Sequence, residues 1–559
     1  MLVLLLITVF ASVCAQSDIL EVTIEQGVVR GHRHEDTSVF SFRNIPYATA
    51  PTGPDRFKAA LPPPTWQDTF DAVDRNIICL QSPAVEGMQE DCLVANVYVP
   101  ENATKLPIMV VVHGGAYIAG SGDILQYTNL VNTQKIIVVT FNYRLGVQGF
   151  LCLGTKDIPG NAGMKDQVAL LRWVNENIAS FGGNPDDVTI SGCSAGGSSI
   201  DLLTLSPMTN GLFKKVISSS GSALGNLGAQ MNPTDMAKRF ALSLGFENVD
   251  DIDALEEFYK NVPNDVYFQN YDGTNYNMGD FQTIFFTPCV EVDHGEEVER
   301  FLPDSPWNII KNGNYVPLPI LYGFTEIEGT VRIADFANSY NDMEENFANY
   351  LPTDLEFETE EQRQEVADAV KQFYFEGQPI QESYRKYLDY YSDILFVYPI
   401  LRTINQRLVS NNERMYLYEY LFVDENTVPF IPTTQATMHC DQEIIITDIM
   451  GTGPQNVTAD FIAMRARMQE IWLNFIQTGI PSATDLPAWP AVSDKWSPHM
   501  SLKNESEVLS TLTAEARVAM WNDLYSEHPV HPIPPASAAF SLQISSILLL
   551  ICSFFYRLY

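Results

Sequence analysis

Gly192-Cys193-Ser194-Ala195-Gly196 spells G-x-S-x-G in a chain of 559 residues. A serine hydroxyl is a weak nucleophile and needs an adjacent base and an open approach. A sharp turn between a strand and a helix supplies the approach, and flanking glycines tolerate the crowding. The strand expected over Val188–Ser191 precedes the motif, and Gly197-Ser-Ser-Ile-Asp-Leu-Leu203 reads as the start of a helix. The N–H groups at that helix start can face a developing oxyanion. Cys193 could act as the nucleophile, but the glycine frame centres on Ser194. A second source of oxyanion donors is His113-Gly114-Gly115-Ala116, a glycine-rich stretch after an apolar run. This set points to acyl transfer through a serine.

The base must be one of eight histidines. Around such an elbow the chain order is Ser, acid, His, which excludes His32, His34 and His113. His528 and His531 lie in a Pro-rich exit, and His294 precedes the best acid, leaving His439 and His499. His439 follows the strand expected over Met415–Phe422, whereas Trp496-Ser-Pro-His499 reads as a surface loop. The acid is Glu326 or Glu328 in Gly323-Phe-Thr-Glu-Ile-Glu-Gly329, and spacing does not choose between them. No cluster of His, Cys and acids has metal-ligand spacing, so neither metal nor cofactor is expected.

Positioning these residues requires buried strands. Ile108–Val112, Ile136–Thr140, Val188–Ile190, Val216–Ile217, Ile320–Tyr322 and Met415–Phe422 read as continuous apolar strands. Val168, Leu171, Val174 and Ile178 share one helical face, followed by Gly182 and Gly183. Ile462, Met464, Met468, Ile471, Trp472 and Phe475 mark another helix, ended near Gly479. Fully apolar strands alternating with helices predict an α/β fold, a mostly parallel sheet covered on both faces with its site at the strands' carboxyl ends. No repeat or linker interrupts residues 16–530, and residues 16–535 read as a single domain.

The net charge is −36. Such a surface repels phosphate backbones and excludes nucleic acid as a partner. Leu2–Phe10 is apolar and is followed by small residues at Val13 and Ala15, so residues 1–15 read as a secretory signal peptide, with a buried strand as the alternative. Residues 536–559 join small residues, a short spacer and an apolar end, the pattern of a GPI-anchor signal with Ser537 as the attachment residue. The alternatives for this tail are a membrane span from about Ala538 to Tyr556 and a secreted apolar tail. The expected location is the outer face of the plasma membrane, with secretion as the alternative. Asn102, Asn456 and Asn504 each open a glycosylation acceptor. Of eight cysteines, Cys14 and Cys552 lie in the removed ends.

The chain resembles the type-B carboxylesterase and cholinesterase-like family of α/β-hydrolases, especially insect carboxylesterases. The resemblance rests on Phe42-Arg-Asn-Ile-Pro-Tyr-Ala48, Glu90-Asp-Cys-Leu93, Asn96-Val-Tyr98, His113-Gly-Gly115, Asn142-Tyr-Arg-Leu-Gly146 with Gly149-Phe150, Gly160-Asn-Ala-Gly163 and Lys165-Asp-Gln167. Phe181-Gly-Gly-Asn-Pro185, the elbow and Ser220-Gly-Ser222 complete it, and it runs from about Val22 to Tyr525. The resemblance implies ester hydrolysis by Ser194, His439 and Glu328, the acid standing immediately before a glycine. It also implies oxyanion donors at Gly114, Gly115 and Ala195, a disulfide Cys79–Cys92, and structural ion pairs Arg56–Glu90 and Arg144–Asp166. The expected partner is a small-molecule ester.

Some residues depart from the family pattern. Cys193 stands where cholinesterases usually carry Glu and juvenile-hormone esterases usually carry Gln. The Cys79–Cys92 loop contains no Trp, so the aromatic face that would hold a choline cation is missing and cholinesterase activity is not expected. Ala436 replaces a usual Gly, and Cys440 follows His439. Because Ser194 and His439 must meet, Cys193 and Cys440 could bond; strict pairing geometry favours two buried free thiols. The other function class is a catalytically silent, neuroligin-like adhesion protein, which gives no reason to keep Ser, Glu and His in register.

Overall fold

Met109 and Val111 face one side of a central strand, while Ile108, Val110 and Val112 face the other, and all five are buried. The same alternation recurs at Ile137 and Val139 against Val138, and at Ile320 and Tyr322 against Leu321. A strand sends successive side chains to opposite faces, so an apolar residue at every position means apolar cover on both. The computed structural model describes residues 18–225, 227–270, 286–411, 413–425, 435–448, 458–512 and 514–535. The signal 1–15, Asn456 and the tail 536–559 with Ser537 lie outside the described residues.

Among the described residues, thirteen strands form one sheet. Its order is Ile19–Ile24, Gly27–Arg33, Val39–Pro46, Val94–Pro100, Ile137–Phe141, Leu106–Val112, Gly183–Cys193, Lys215–Ser219, Ile320–Thr325, Met415–Tyr420, His499–Leu502 and Glu507–Leu509, with Phe70–Asp71 beside the second. From Ile137–Phe141 to His499–Leu502 every neighbouring pair is parallel. The fold is therefore the expected α/β-hydrolase arrangement.

The two helices read from the sequence cover opposite faces. Ala162–Asn177 packs Val168, Leu171 and Val174 into one core, while Ala459–Thr478 packs Met464, Met468, Ile471, Trp472 and Phe475 into the other. Gly479 ends the second helix at φ +73°. Ile462 is 59% exposed. Lying two residues from Met464, it is about 200° away around the helix and cannot share its face. Among the described residues, no helix is long and apolar enough to cross a membrane.

One buried network fastens the elbow helix Ala195–Leu203 to the sheet. Asp201 Oδ1 accepts from Arg407 at 2.7 Å and from the Tyr322 hydroxyl at 2.8 Å, and Oδ2 accepts the Ala223 N–H at 2.7 Å. Arg407 also pairs with Glu413 at 3.1 Å. The expected pair Arg144–Asp166 is buried and two-pronged, at 2.6 and 2.7 Å, and Arg56 lies 3.6 Å from Glu90. A second buried pair, Lys165–Glu291 at 2.5 Å, gave no sequence signal.

Candidate active site

Ser194 stands at φ +62°, ψ −127°, between the end of strand Gly183–Cys193 and the first helical residue, Ala195. A side chain rarely adopts this conformation, and the surroundings must enforce it. The Ser194 N–H donates to the Ser219 carbonyl at 3.0 Å, and its carbonyl accepts from Ser198 at 2.9 Å. Both flanking glycines are required. A Cβ on Gly192 would meet Gly196 at 2.7 Å, and one on Gly196 would meet the Val112 carbonyl at 2.1 Å.

The loop after Leu106–Val112 passes directly over this turn. A Cβ on Gly114 would lie 2.6 Å from the Cys193 carbonyl and 3.1 Å from Ser194 Cβ. Gly115 takes φ +108°, and its carbonyl accepts from Ile118 at 2.9 Å and Ala119 at 3.1 Å, which fixes the loop. His113 stacks on Tyr143 with centroids 4.3 Å apart, and its Nδ1 lies 2.8 Å from the Gly114 carbonyl. Burial pulls the His113 pKa down to about 4, so this ring stays neutral and structural. Ala195 opens the elbow helix, and its N–H has no partner within that helix.

Glu328 is fully buried, and its Oε2 lies 2.5 Å from His439 Nδ1. Its Oε1 accepts from the Ser220 hydroxyl at 2.6 Å and from the Thr325 N–H at 2.7 Å. Ser220 is oriented by Gln442, whose Nε2 donates to its hydroxyl at 2.6 Å. Thr437 links the acid and base loops: it accepts the Glu326 N–H at 2.9 Å on its hydroxyl and the Ile327 N–H at 3.1 Å on its carbonyl. Sequence reading missed the roles of Ser220 and Gln442. The signals were their places just after the strand Lys215–Ser219 and three residues past His439.

The other candidates are placed elsewhere. Glu326 is partly exposed and pairs with Arg385 at 3.2 Å. His499 was expected in a surface loop, but it begins the strand His499–Leu502 and is fully buried. Strand pairing with Tyr418–Tyr420 overrides the loop signal of Ser497-Pro498. Burial holds the His499 pKa at about 4, and neither ring nitrogen has a hydrogen-bond partner among the described residues.

Cys193 and Cys440 form a disulfide with Cα atoms 6.0 Å apart, correcting the expectation of two free thiols. The elbow and base loop bring the two β-carbons into bonding reach, a juxtaposition that only the assembled sheet creates. Both sulfurs and a His439 ring nitrogen lie within 4.8 Å of one another. Cys79–Cys92 is also bonded, and a third bridge, Cys152–Cys289, had no sequence signal. Cys440 itself sits at φ +68°, and Ser194, next to Cys193, at φ +62°. His439 Nε2 is buried without a hydrogen-bond partner among the described residues. The contact between Glu328 and His439 is thus formed, while His439 Nε2 makes none to Ser194; catalytic contacts are often open before substrate binds.

A cavity of about 1030 Å³ opens beside Ser194; its lining includes the apolar Ala116, Ile118, Leu224, Leu227 and Phe396 and also charged residues such as Asp235, Arg239, Glu356 and Arg363. Phe396 also packs on the His439 ring, with centroids 4.4 Å apart. The cavity includes Trp307, but Arg402 lies 4.9 Å from that ring and His531 stacks on it at 5.1 Å.

Glu443, four residues past His439, is a buried carboxyl whose pKa burial pushes up to about 7, although the Tyr127 hydroxyl donates to it at 2.8 Å. This is above its ordinary value of 4.5, so its stabilising contribution is complete below that value and is lost as pH rises through about 7. Glu443→Gln removes that loss. Thermal melts between about pH 6 and about pH 8 are expected to show the variant gaining on the wild type as pH rises. A constant difference across that range would count against a neutral Glu443.

Comparison with known proteins agrees with this geometry. The model of the carboxylesterase family matches residues 18–521. The chain is similar to Esterase FE4 of Myzus persicae, at 29% identity over 506 residues, covering 86% of this chain and 88% of that protein. It is 31% identical over 514 residues to the juvenile hormone esterase of Heliothis virescens, covering 84% and 87%. The crystal structure of the juvenile hormone esterase from Manduca sexta, with OTFP covalently attached, superposes with a TM-score of 0.80 at 27% identity, covering 91% of this chain and 100% of that one. With a glycine-framed serine above a parallel sheet and this match along nearly its whole length, the chain belongs to the carboxylesterase family of carboxylic ester hydrolases.

Proposed function

We propose that hydrolysis runs through an acyl-enzyme on Ser194. The Ser194 hydroxyl attacks the ester carbonyl while His439 Nε2 takes its proton. Glu328 holds Nδ1–H and stabilises the imidazolium. The N–H groups of Gly114, Gly115 and Ala195 receive the oxyanion. His439 returns the proton to the leaving alcohol. Water then attacks the acyl-enzyme by the same route and releases the acid. The observation that carries this reading is the 2.5 Å contact between buried Glu328 and His439, beside an elbow serine that lines a cavity. An organophosphorus ester tests it. It is expected to block turnover of a p-nitrophenyl acetate probe and to label the peptide containing Ser194; inhibition with the label on another residue would overturn it.

The substrate is proposed to be a neutral, largely apolar ester. Choline esters fit poorly, because both Arg402 and His531 already lie on the ring of Trp307. Cys193, where juvenile-hormone esterases usually carry Gln, separates this chain from that specificity.

The bridge Cys193–Cys440 is proposed to position nucleophile and base by tying their neighbours together. Cys193→Ser with Cys440→Ser is expected to lower kcat about 100-fold with a smaller change in KM, since misplacement by about 1 Å costs that much. An unchanged kcat would make the bridge purely structural.

The fold is proposed to span 16–535, between a removed signal 1–15 and a GPI-anchor signal 536–559. Three disulfides support passage through an oxidising compartment. Asn102 and Asn504 are exposed, as glycan acceptors must be. Release from cells by a phosphatidylinositol-specific phospholipase is the test of the anchor.

A further inference from the structure

The cavity beside Ser194 has a wall that comes from the far end of the chain. After the helix Glu515–Glu527 the backbone runs as an extended strap, and Val530, His531, Pro532 and Ile533 line the same cavity as Ser194. The strap is pinned rather than loosely laid. The Val530 N–H donates to the Asp354 carbonyl at 3.0 Å, and the His528 carbonyl accepts from Glu356 at 2.9 Å. Leu355 and Pro529 form an isolated β-bridge. The His531 ring stacks on Trp307, and Arg402 ties that ring to Asp354 through a 3.0 Å ion pair. Pro535 then closes against Gly154, where an added Cβ would lie 2.8 Å from it.

The strap lies beyond the residues matched by the carboxylesterase family, which end at 521. The nucleophile is thus held by the shared part of the fold, while part of the substrate cavity is built by a segment outside it. The strap offers mainly apolar surface, and Ile533 is 69% exposed although it lines the cavity.

We infer that Val530–Ile533 is a specificity wall that selects esters with a long apolar acyl or alkyl chain. This rests on the esterase reading above. The volume, just above the range of about 300–1,000 Å³ typical of small-molecule sites, exceeds what an acetate ester needs. Each methylene that a chain buries against such a wall is worth about fourfold in binding.

The experiment compares kcat/KM for p-nitrophenyl dodecanoate and p-nitrophenyl acetate in the full chain and in Ile533→Asp and Ile533→Leu. The dodecanoate-to-acetate ratio is expected to fall about tenfold or more in Ile533→Asp, mainly through the dodecanoate KM, because a charge replaces apolar wall. Ile533→Leu keeps the wall apolar and is expected to stay within about twofold of the wild-type ratio. A ratio unmoved by Ile533→Asp, or moved equally by both variants, overturns the inference while acetate turnover leaves the esterase reading intact. If the wild type turns over neither ester, both readings fail together.

Discussion

Ser194→Ala is expected to lower kcat/KM for a short aryl ester by about 10⁴-fold or more while leaving the fold unchanged. Removing a triad nucleophile leaves only what oxyanion donors and binding contribute, which is why the loss is so large. The substitution takes away one oxygen and disturbs little else. The backbone turn is held by the Ser194 N–H to the Ser219 carbonyl and by Gly192 and Gly196, none of which involves the hydroxyl. Initial rates with p-nitrophenyl acetate, alongside a thermal melt, are the measurement. Retention of a tenth of the wild-type rate by a folded variant would assign the chemistry to another group.

Glu328→Gln is expected to cost about 10³- to 10⁴-fold in kcat. The Ser220 hydroxyl and the Thr325 N–H both point at Oε1, so a glutamine must put its carbonyl oxygen there. Its NH₂ then faces His439 Nδ1, which has to become an acceptor. The ring proton moves to Nε2, and the base can no longer accept from Ser194. Glu326→Gln, two residues away, loses only a partly exposed pair with Arg385 and is expected to change kcat by less than about threefold. Equal losses in the two variants would contradict the assignment of Glu328.

The contrast between these two glutamates also shows where sequence stopped being informative. Both follow the strand Ile320–Thr325 within three residues, so spacing puts either at its carboxyl end. What separates them is Arg385, on the helix Tyr384–Ser392, and Ser220, on another strand's exit, and neither is visible in a local window. The elbow itself was legible because G-x-S-x-G is a local spacing, although the contact that demands Gly196 comes from Val112 on another strand. The buried strands were legible because two covered faces leave mostly apolar positions, with Thr140, Thr189 and Glu419 as buried exceptions. His499 was misread because a serine and a proline before it resemble a loop, whereas its burial is decided by the neighbouring strand. The strap gave no signal beyond its prolines, since its role depends on a cavity built by residues far away in the sequence.

The bridge between Cys193 and Cys440 spans 247 residues, so it has a consequence for biosynthesis. Its second thiol leaves the ribosome only after most of the sheet has been made. Correct oxidation therefore reports that the elbow and the histidine loop have already met. A chain-entropy treatment assigns such a ring roughly 5 kcal/mol of stabilisation, at the upper end for a single cross-link. Protein made in a bacterial cytoplasm would lack it, and recombinant material from that source would be a poor guide to the native enzyme's turnover and shelf life.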